Sequence, residues 1–552
     1  MFYEAQMLES DFVNIAAHLP EMARRQPDTA AIIFPKRNRR MSFAELNTLS
    51  DRIARGLIAI GICRGVRTVL MVTPSPEFFA LTFALFKVGA VPVLIDPGLG
   101  IKNLKKCFAE AEPHAFIGIP KAHIARLIFG WGRETIRTFV TVGPRLFWEG
   151  TTLRTIIEDN KEESRFTPAP TQHDDVAAIL FTSGSTGVPK GAVYSHGNFA
   201  AQVEALRKVY GIEPGEIDLP TFPLFALFAP ALGMTAVIPE MDFTRPGSVD
   251  PAKIINAIQS HGVTTMFGSP ALINRVGRYG VKHHVKLPTL RRAISAGAPV
   301  PAAVLERFTT LLNPGVQVFT PYGATEALPV CSIGSAEILG STRQITDAGG
   351  GVCIGRPVEG IRLEVIEISD EPIYSWHEGL RVPSGKIGEI IVQGEQVTKG
   401  YYNRPDSDHL SKIDDPETGS FFHRMGDLGG RDEDGRVWFC GRKSHRVETE
   451  SGPLFTIPCE AVFNTHPMVY RTALVGIGEP RALKPVLCVE LEKGVKVDKE
   501  LVREELLAIA RDHIHTHSIE TILFHPAFPV DIRHNAKIFR EKLAVWAARR
   551  LK

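Results

Sequence analysis

The segment Phe181-Thr182-Ser183-Gly184-Ser185-Thr186-Gly187-Val188-Pro189-Lys190-Gly191 interleaves glycines with hydroxyl side chains and ends on a lysine. Glycines let a backbone close tightly around an anion, hydroxyls and N–H groups donate to it, and Lys190 adds a positive charge. The chemistry this suggests is phosphate binding. A Walker A loop needs GxxxxGK[ST] opening a helix. Here Pro189 precedes the lysine and a strand-like GAVYS follows, which excludes an ordinary P-loop NTPase. By composition alone, the same stretch also suits a flexible surface loop.

Further along stand Tyr322-Gly323-Ala324-Thr325-Glu326, then Gly388-Glu389-Ile390-Ile391-Val392-Gln393-Gly394, then Arg424-Met425-Gly426-Asp427-Leu428, then Gly441-Arg442, and finally Asn535-Ala536-Lys537. Singly, Asp427 could serve as a turn residue, Tyr322 as a core aromatic and Lys537 as a solvated lysine. Taken in this order across nearly the whole chain, they resemble the adenylate-forming superfamily of acyl-CoA synthetases, peptide-synthetase adenylation domains and luciferases.

That resemblance implies an attack by a carboxylate on the α-phosphorus of ATP, with the developing charge met by fixed cations and donors. It assigns Lys537 as the late catalytic lysine on a mobile domain, and Thr325 as a donor to the α-phosphate. Glu326 would hold Mg²⁺ together with Thr186. Thr182, Ser183, Gly184, Ser185, Thr186, Gly187 and Lys190 would cradle the phosphates. Tyr322 would stack on adenine, with Gly297, Ala298 and Pro299 lining the other side, and Gly323 would belong to the same ATP site. Asp427 would accept from the ribose hydroxyls, with Arg442 nearby.

The chain departs from acyl-CoA synthetases at four places. Pro223-Leu224-Phe225 runs into Ala226 where those enzymes carry an aromatic–His pair, and Ser444 stands at the hinge in place of Asp or Lys. The hinge is followed by an acidic pair, Glu448 and Glu450, poor company for the phosphates of coenzyme A. Ala536 replaces the glycine before the catalytic lysine. With the YGATEALPV and DIRHNAKIFREKL stretches, these departures make the chain most similar to the β-lactone synthetases of bacterial long-chain olefin biosynthesis. In that family a 2-alkyl-3-hydroxy fatty acid is activated with ATP, and its own hydroxyl closes the lactone with loss of AMP. The resemblance implies pathway partners, a β-lactone decarboxylase of hydrolase fold and a ketoreductase. A fatty acyl-CoA synthetase and a non-catalytic nucleotide- or acyl-AMP-binding regulator are the competing readings.

The elements that must position these residues are legible from periodicity. Over the first 330 or so residues, apolar strand-like runs alternate with helix-like segments, the pattern of parallel βαβ units. Ser42 with Glu45 predicts a capping box, and Leu46, Leu49, Ile53, Leu57 and Ile60 mark one helix face. Strands are expected at Thr68–Val72, Val91–Ile95, Val176–Phe181, Val263–Phe267, Leu290–Ser295 and Val316–Phe319, and Asn198 is expected to cap a helix that His196 helps to start. From about residue 350 short alternating runs predict antiparallel β structure, and after residue 442 a mixed segment follows. His513, His515 and His517 read as a solvated helix end, since alternate residues point apart on a helix. The expectation is an α/β fold: residues 1–442 as an N-terminal domain with doubly wound subdomains and a β-rich part at about 350–440, and residues 443–552 as a small mobile α+β domain.

The 552 residues are 44% hydrophobic and 22% charged, which suits a globular chain. With 63 Lys+Arg against 61 Asp+Glu, a dominant nucleic-acid footprint is excluded. Seven scattered cysteines without a CxxC pair, and an acidic start without an apolar core, point to reducing cytoplasm. The run from Leu219 to Pro239 is long enough to cross a bilayer, but four prolines and acidic flanks argue for a buried or substrate-lining segment. Phe222, Phe225 and Phe228 within it, with Phe267, are the expected acyl pocket.

Overall fold

The computed structural model describes residues 12–162, 164–182, 188–494, 498–530 and 537–551. Two large sheets dominate it. The first has seven strands in the order Thr151–Thr152, Thr138–Thr141, Ala115–Gly118, Arg67–Met71, Val91–Ile95, Val176–Thr182, Lys190–Ser195. All are parallel except the last, which turns back against Val176–Thr182 with Thr182 opposite Lys190. The residues between those two, Ser183–Gly187, lie outside the described set.

The second sheet has fourteen strands. Its parallel half places Gln317–Ala324, Arg292–Ile294, Thr265–Phe267, Ile217–Pro220, Thr235–Val237 and Ala30–Phe34 side by side. Its antiparallel half begins at the hairpin of Gln317–Ala324 with Ala327–Gly334 and runs on through Val352–Pro357, Val437–Arg442, Ser420–Arg431, Gly388–Gln393 and Arg362–Ile366. The expected β-rich segment is therefore not a sheet of its own. It continues the parallel sheet, because Cys331 and Ser332 pair with Pro357 and Arg356.

A shared core fills the space between the sheets. Helix Pro76–Lys87 (PEFFALTFALFK) is buried along nearly its whole length, since it packs on both sides. Lys87 is fully buried there, but Asn47 Oδ1 at 2.8 Å, Ser50 Oγ at 2.7 Å and the Asp51 carboxylate accept from its ammonium. A buried charge is tolerated only when so partnered. The helix Phe43–Ala59 carries the expected capping box, with Ser42 accepting from Glu45 N–H and Glu45 accepting from Ser42 N–H.

Several boundaries move. Strands begin at Thr265 and Arg292 rather than Val263 and Leu290, and the strand expected to end at Phe319 runs to Ala324. Asn198 is not the cap: Ser195 is, and Asn198 sits at the third helical position, where its side chain closes a capping box with Ser195. Its side-chain N–H₂ also donates to Val397 O at 3.2 Å, a partner invisible to local pattern.

After residue 446 come a two-stranded ribbon, Val447–Thr449 with Gly452–Leu454, and a three-stranded sheet, Val469–Ile477, Lys484–Leu491 and Thr521–Phe524. Helices Thr456–Phe463, Lys499–Asp512 and Arg540–Arg550 accompany them, and two buried clusters draw only on residues of this segment. His513, His515 and His517 lie beyond the end of helix Lys499–Asp512, with His515 half-buried against Pro458 O at 3.3 Å. Among the described residues no helix is long and apolar enough to cross a membrane. The Leu219–Pro239 run instead forms a strand end, a short helical turn at Phe225–Ala231 and the strand Thr235–Val237.

Candidate active site

In open parallel sheets, ligands bind outside the carboxyl ends of the strands. Here those ends are stitched together: Thr221 N–H donates to Phe267 O at 3.2 Å, Gly268 N–H to Ile294 O at 2.9 Å, and Ser295 N–H to Phe319 O at 2.9 Å. The stitching puts Phe222, Phe267, the Gly297-Ala298-Pro299 turn and Tyr322 on one rim, although they are far apart in sequence. Gly297 turns with φ of 98°, a conformation open to glycine without strain.

Three of the expected acyl-pocket rings meet. Phe222 and Phe225 stack edge-on with centroids 5.2 Å apart, and Phe225 meets Phe267 at 4.6 Å. The ring contact of Phe228 is instead with Phe199, edge-on at 6.5 Å.

Tyr322 precedes a bulge in the Gln317–Ala324 strand, where a Cβ on Gly323 would lie 2.6 Å from Ala327 O. Its hydroxyl donates to Asp427 Oδ2 at 2.7 Å. Burial, then the neighbouring carboxylate, push the Tyr322 phenol well up. Asp427 is 4% exposed and lies opposite Arg442 across two antiparallel strands, with Oδ1 3.1 Å from Arg442 Nη1. That oxygen receives no aligned hydrogen bond. Burial pushes the Asp427 carboxyl up, against the pull of Arg442, Tyr322 and Lys537. A buried carboxylate oxygen lacking a donor fits a ribose hydroxyl. Lys537 is exposed, and its charge reaches the Asp427 end of the site.

Thr325 and Glu326 form the tip of the hairpin that joins the two halves of the large sheet. Thr325 O accepts from Tyr194 Oη, and Glu326 O accepts from Thr398 N–H at 2.8 Å. The Tyr401 hydroxyl donates to Glu326 Oε1 at 2.7 Å, while Lys190 Nζ lies 4.9 Å from the Tyr401 ring centroid. Burial lowers Lys190, with Glu326 opposing. Behind them Lys412 donates to Thr398 O, and burial brings its ammonium down to about 7. Lys412 faces His423 across an antiparallel pair. Sequence reasoning missed Tyr401, Lys412 and His423. A tyrosine just after Lys399-Gly400 offered a weak signal, whereas Lys412 resembles any lysine of a polar stretch.

The outlying residues also find places. Glu389 and Arg424 make a buried ion pair at 2.6 Å, joined by Lys443 at 3.0 Å, which braces the strand carrying Asp427. Ser444 lies in the one-turn helix Lys443–His445. Glu448, the first of the acidic pair after the expected hinge, is ion-paired with Arg446, which also holds Asp370. His196 is fully buried, accepts from Ile15 N–H at 3.2 Å and is brought down to about 4 by burial, a structural histidine. Of the expected phosphate cradle, only Lys190 and the backbone of Thr182 can be placed. Ser183, Gly184, Ser185, Thr186 and Gly187 lie outside the described residues, as do Asn535 and Ala536.

The fold and this rim define an adenylate-forming enzyme, and the AMP-binding enzyme family matches residues 19–402, so the chain belongs to that family. Within it, the chain is 51% identical over 549 residues to the olefin beta-lactone synthetase of Xanthomonas campestris pv. campestris, covering 97% of each chain. It is also 51% identical to the protein of that name from Stenotrophomonas maltophilia, covering 98% of each. Among solved structures it shares its fold with the amide bond synthetase McbA from Marinactinospora thermotolerans. The TM-score is 0.80 at 21% identity, covering 97% of this chain and 99% of that one. A second is the anthranilate CoA ligase AuaEII in complex with anthranoyl-AMP, with TM-score 0.80 at 20% identity and 98% of each chain covered.

Proposed function

We propose that this chain is an ATP-dependent β-lactone synthetase acting on 2-alkyl-3-hydroxy fatty acids. The observation that carries the reading is the full-length likeness to two proteins named olefin beta-lactone synthetase. An acid oxygen attacks the α-phosphorus, the bond to the bridging oxygen breaks, and pyrophosphate leaves. The substrate's own 3-hydroxyl oxygen then attacks the activated carbonyl, AMP departs, and the hydroxyl proton passes to solvent. An intramolecular nucleophile carries an effective molarity of about 10⁵–10⁸ M when well oriented, less what ring strain removes. No thiol acceptor is required, so coenzyme A has no step here.

Asp427 holds the ribose and Tyr322 packs on the adenine, while Lys537 supplies positive charge to the α-phosphate. Thr325 donates to that phosphate, and Lys190 with the Thr182–Gly187 loop binds the outer phosphates. Glu326, whose oxygens suit a hard cation, would hold Mg²⁺ with Thr186, and the ion would neutralise phosphate charge. The Phe222, Phe225 and Phe267 trio forms an apolar wall for alkyl chains. Residues 443–552 act as a domain turning about Ser444 between the two steps. In the cytoplasm a ketoreductase would supply the hydroxy acid, and a decarboxylase of hydrolase fold would consume the lactone.

The test is incubation with a 2-alkyl-3-hydroxy fatty acid, ATP and Mg²⁺, with and without coenzyme A, and identification of products by NMR. A four-membered lactone with AMP, independent of coenzyme A, is expected. A thioester formed in its place overturns the reading in favour of an acyl-CoA synthetase.

A further inference from the structure

Lys537 is separated from the nearest stable helix by only two residues, Ile538 and Phe539, before Arg540–Arg550 begins. What holds it is not obvious from the strand pairing. Ile538 makes a single bridge to Val530 and packs with it on the cluster around Ala473 and Cys488, and Phe539 N–H donates to Pro529 O at 2.9 Å. Arg540 adds a charged contact to this packing. Its Nη2 donates to both oxygens of Glu460 at 2.7 Å, and Glu460 Oε1 also accepts from Leu474 N–H at 2.8 Å. Both side chains are buried, at 11% and 6% exposure.

Glu460 belongs to helix Thr456–Phe463, and that helix lies directly on the end of strand Val437–Arg442. A Cβ on Gly441 would come within 2.4 Å of Thr456 Oγ1, so only glycine allows the approach. The next residue, Arg442, is the cross-strand partner of Asp427. A continuous path of contacts therefore runs from Asp427 through Arg442 and Gly441 to the helix, and from Glu460 to Arg540. The Arg540 charge also acts on His445 beside Ser444, so the guanidinium lies close to the hinge turn.

We propose that the Glu460–Arg540 ion pair is the positioning device for Lys537, clamping the segment that carries it to the helix seated on Gly441. The pair touches no reacting atom; it acts through Lys537. The inference rests on the reading of Lys537 as the adenylation lysine. Misplacing a catalytic group by about 1 Å can cost about 10²-fold in rate. Nη2, shared between both oxygens of a carboxylate that Leu474 N–H also holds, restrains the distance from Arg540 to the helix, and a lysine, with a shorter reach and a different head group, would reproduce that only in part.

The experiment uses the full chain and measures AMP release with hydroxy acid and ATP in Glu460→Gln, Arg540→Met, Arg540→Lys, Lys537→Ala and the Arg540→Met/Lys537→Ala double variant, with melting curves for each. Glu460→Gln and Arg540→Met are expected to lower kcat by about 10- to 100-fold with KM for ATP changed less than about 3-fold, as for loss of a transition-state interaction. Arg540→Lys should fall between them and the unaltered protein. The double variant should be no slower than Lys537→Ala alone. Should Arg540→Met not fold, the near-isosteric Glu460→Gln, alone and combined with Lys537→Ala, carries the same comparison. Multiplicative loss in the double variant, or full kcat in Glu460→Gln while Lys537→Ala is slow, overturns the positioning role. An unimpaired Lys537→Ala would instead remove the lysine from the chemistry and the clamp with it.

Discussion

The Tyr322 hydroxyl holds Asp427 Oδ2 at 2.7 Å and leaves Oδ1, buried beside Arg442, without an aligned donor. One oxygen of the carboxylate is thus used to orient the other. If Oδ1 takes a ribose hydroxyl, Asp427→Asn should raise KM for ATP by about 10- to 100-fold, the cost of losing a charge-assisted hydrogen bond in a buried site. The penalty for 2′-deoxy-ATP relative to ATP should shrink in the same variant. Steady-state kinetics with both nucleotides check it; an undiminished 2′-deoxy penalty would place the ribose elsewhere.

Lys537→Ala should slow AMP release severely, to a low but measurable rate, while leaving nucleotide affinity nearly intact, because its charge is needed mainly in the transition state. Equilibrium binding of ATP alongside a single-turnover assay separates the two effects. Weakened binding with an unchanged rate would contradict the assignment.

Glu326→Gln keeps the shape of the hairpin tip, since Thr398 N–H bonds the backbone of Glu326 and not its side chain. It removes the charge a hard cation needs. The Mg²⁺ concentration for half-maximal AMP release should rise by about 10-fold or more. Tyr401→Phe, which deletes the hydroxyl bound to Oε1, should shift it in the same direction by less.

Phe225 sits between Phe222 and Phe267 in the ring trio. Phe225→Trp should therefore disfavour long alkyl chains relative to short ones, with KM for ATP unchanged, because added bulk takes up apolar volume without touching polar groups. A substrate series of graded chain length reads this out. Phe228→Trp should have no such effect, since Phe228 packs on Phe199.

Asp218, on strand Ile217–Pro220, has its carboxyl pushed up to about 8 by burial, with a hydrogen bond from the Leu219 backbone and the charge of Arg292 opposing. The folded state then binds a proton that the unfolded state releases above the ordinary carboxylate range. Stability from this group is full at low pH and is lost as pH rises toward 8. Asp218→Asn, which imitates the protonated acid, should match the unaltered protein near pH 4 and exceed it near pH 8, where unpaired burial of the carboxylate costs on the order of a few kcal/mol. Urea melts at the two pH values test the sign.

The family and several of the elements were legible in the chain itself. The order of the motifs carries the family resemblance, and the capping box of Ser42 with Glu45 and the strand Val91–Ile95 follow from local spacing. The rest depended on partners distant in sequence. Asn198 reads as a cap until Ser195 is seen to take that place and Val397 to take its amide. Phe225 and Phe228 look equivalent in sequence, and only packing sends one to Phe267 and the other to Phe199. Lys412 has its ammonium lowered by burial, with Glu326 and Asp408 opposing, and Arg540 finds Glu460 80 residues away. The resemblance carried by the ordered motifs pointed to the class of reaction, and periodicity, which acts over a few residues, to the elements. The order of strands across two sheets decided which side chains share a site, because that order sets which distant residues are brought within hydrogen-bonding and packing distance.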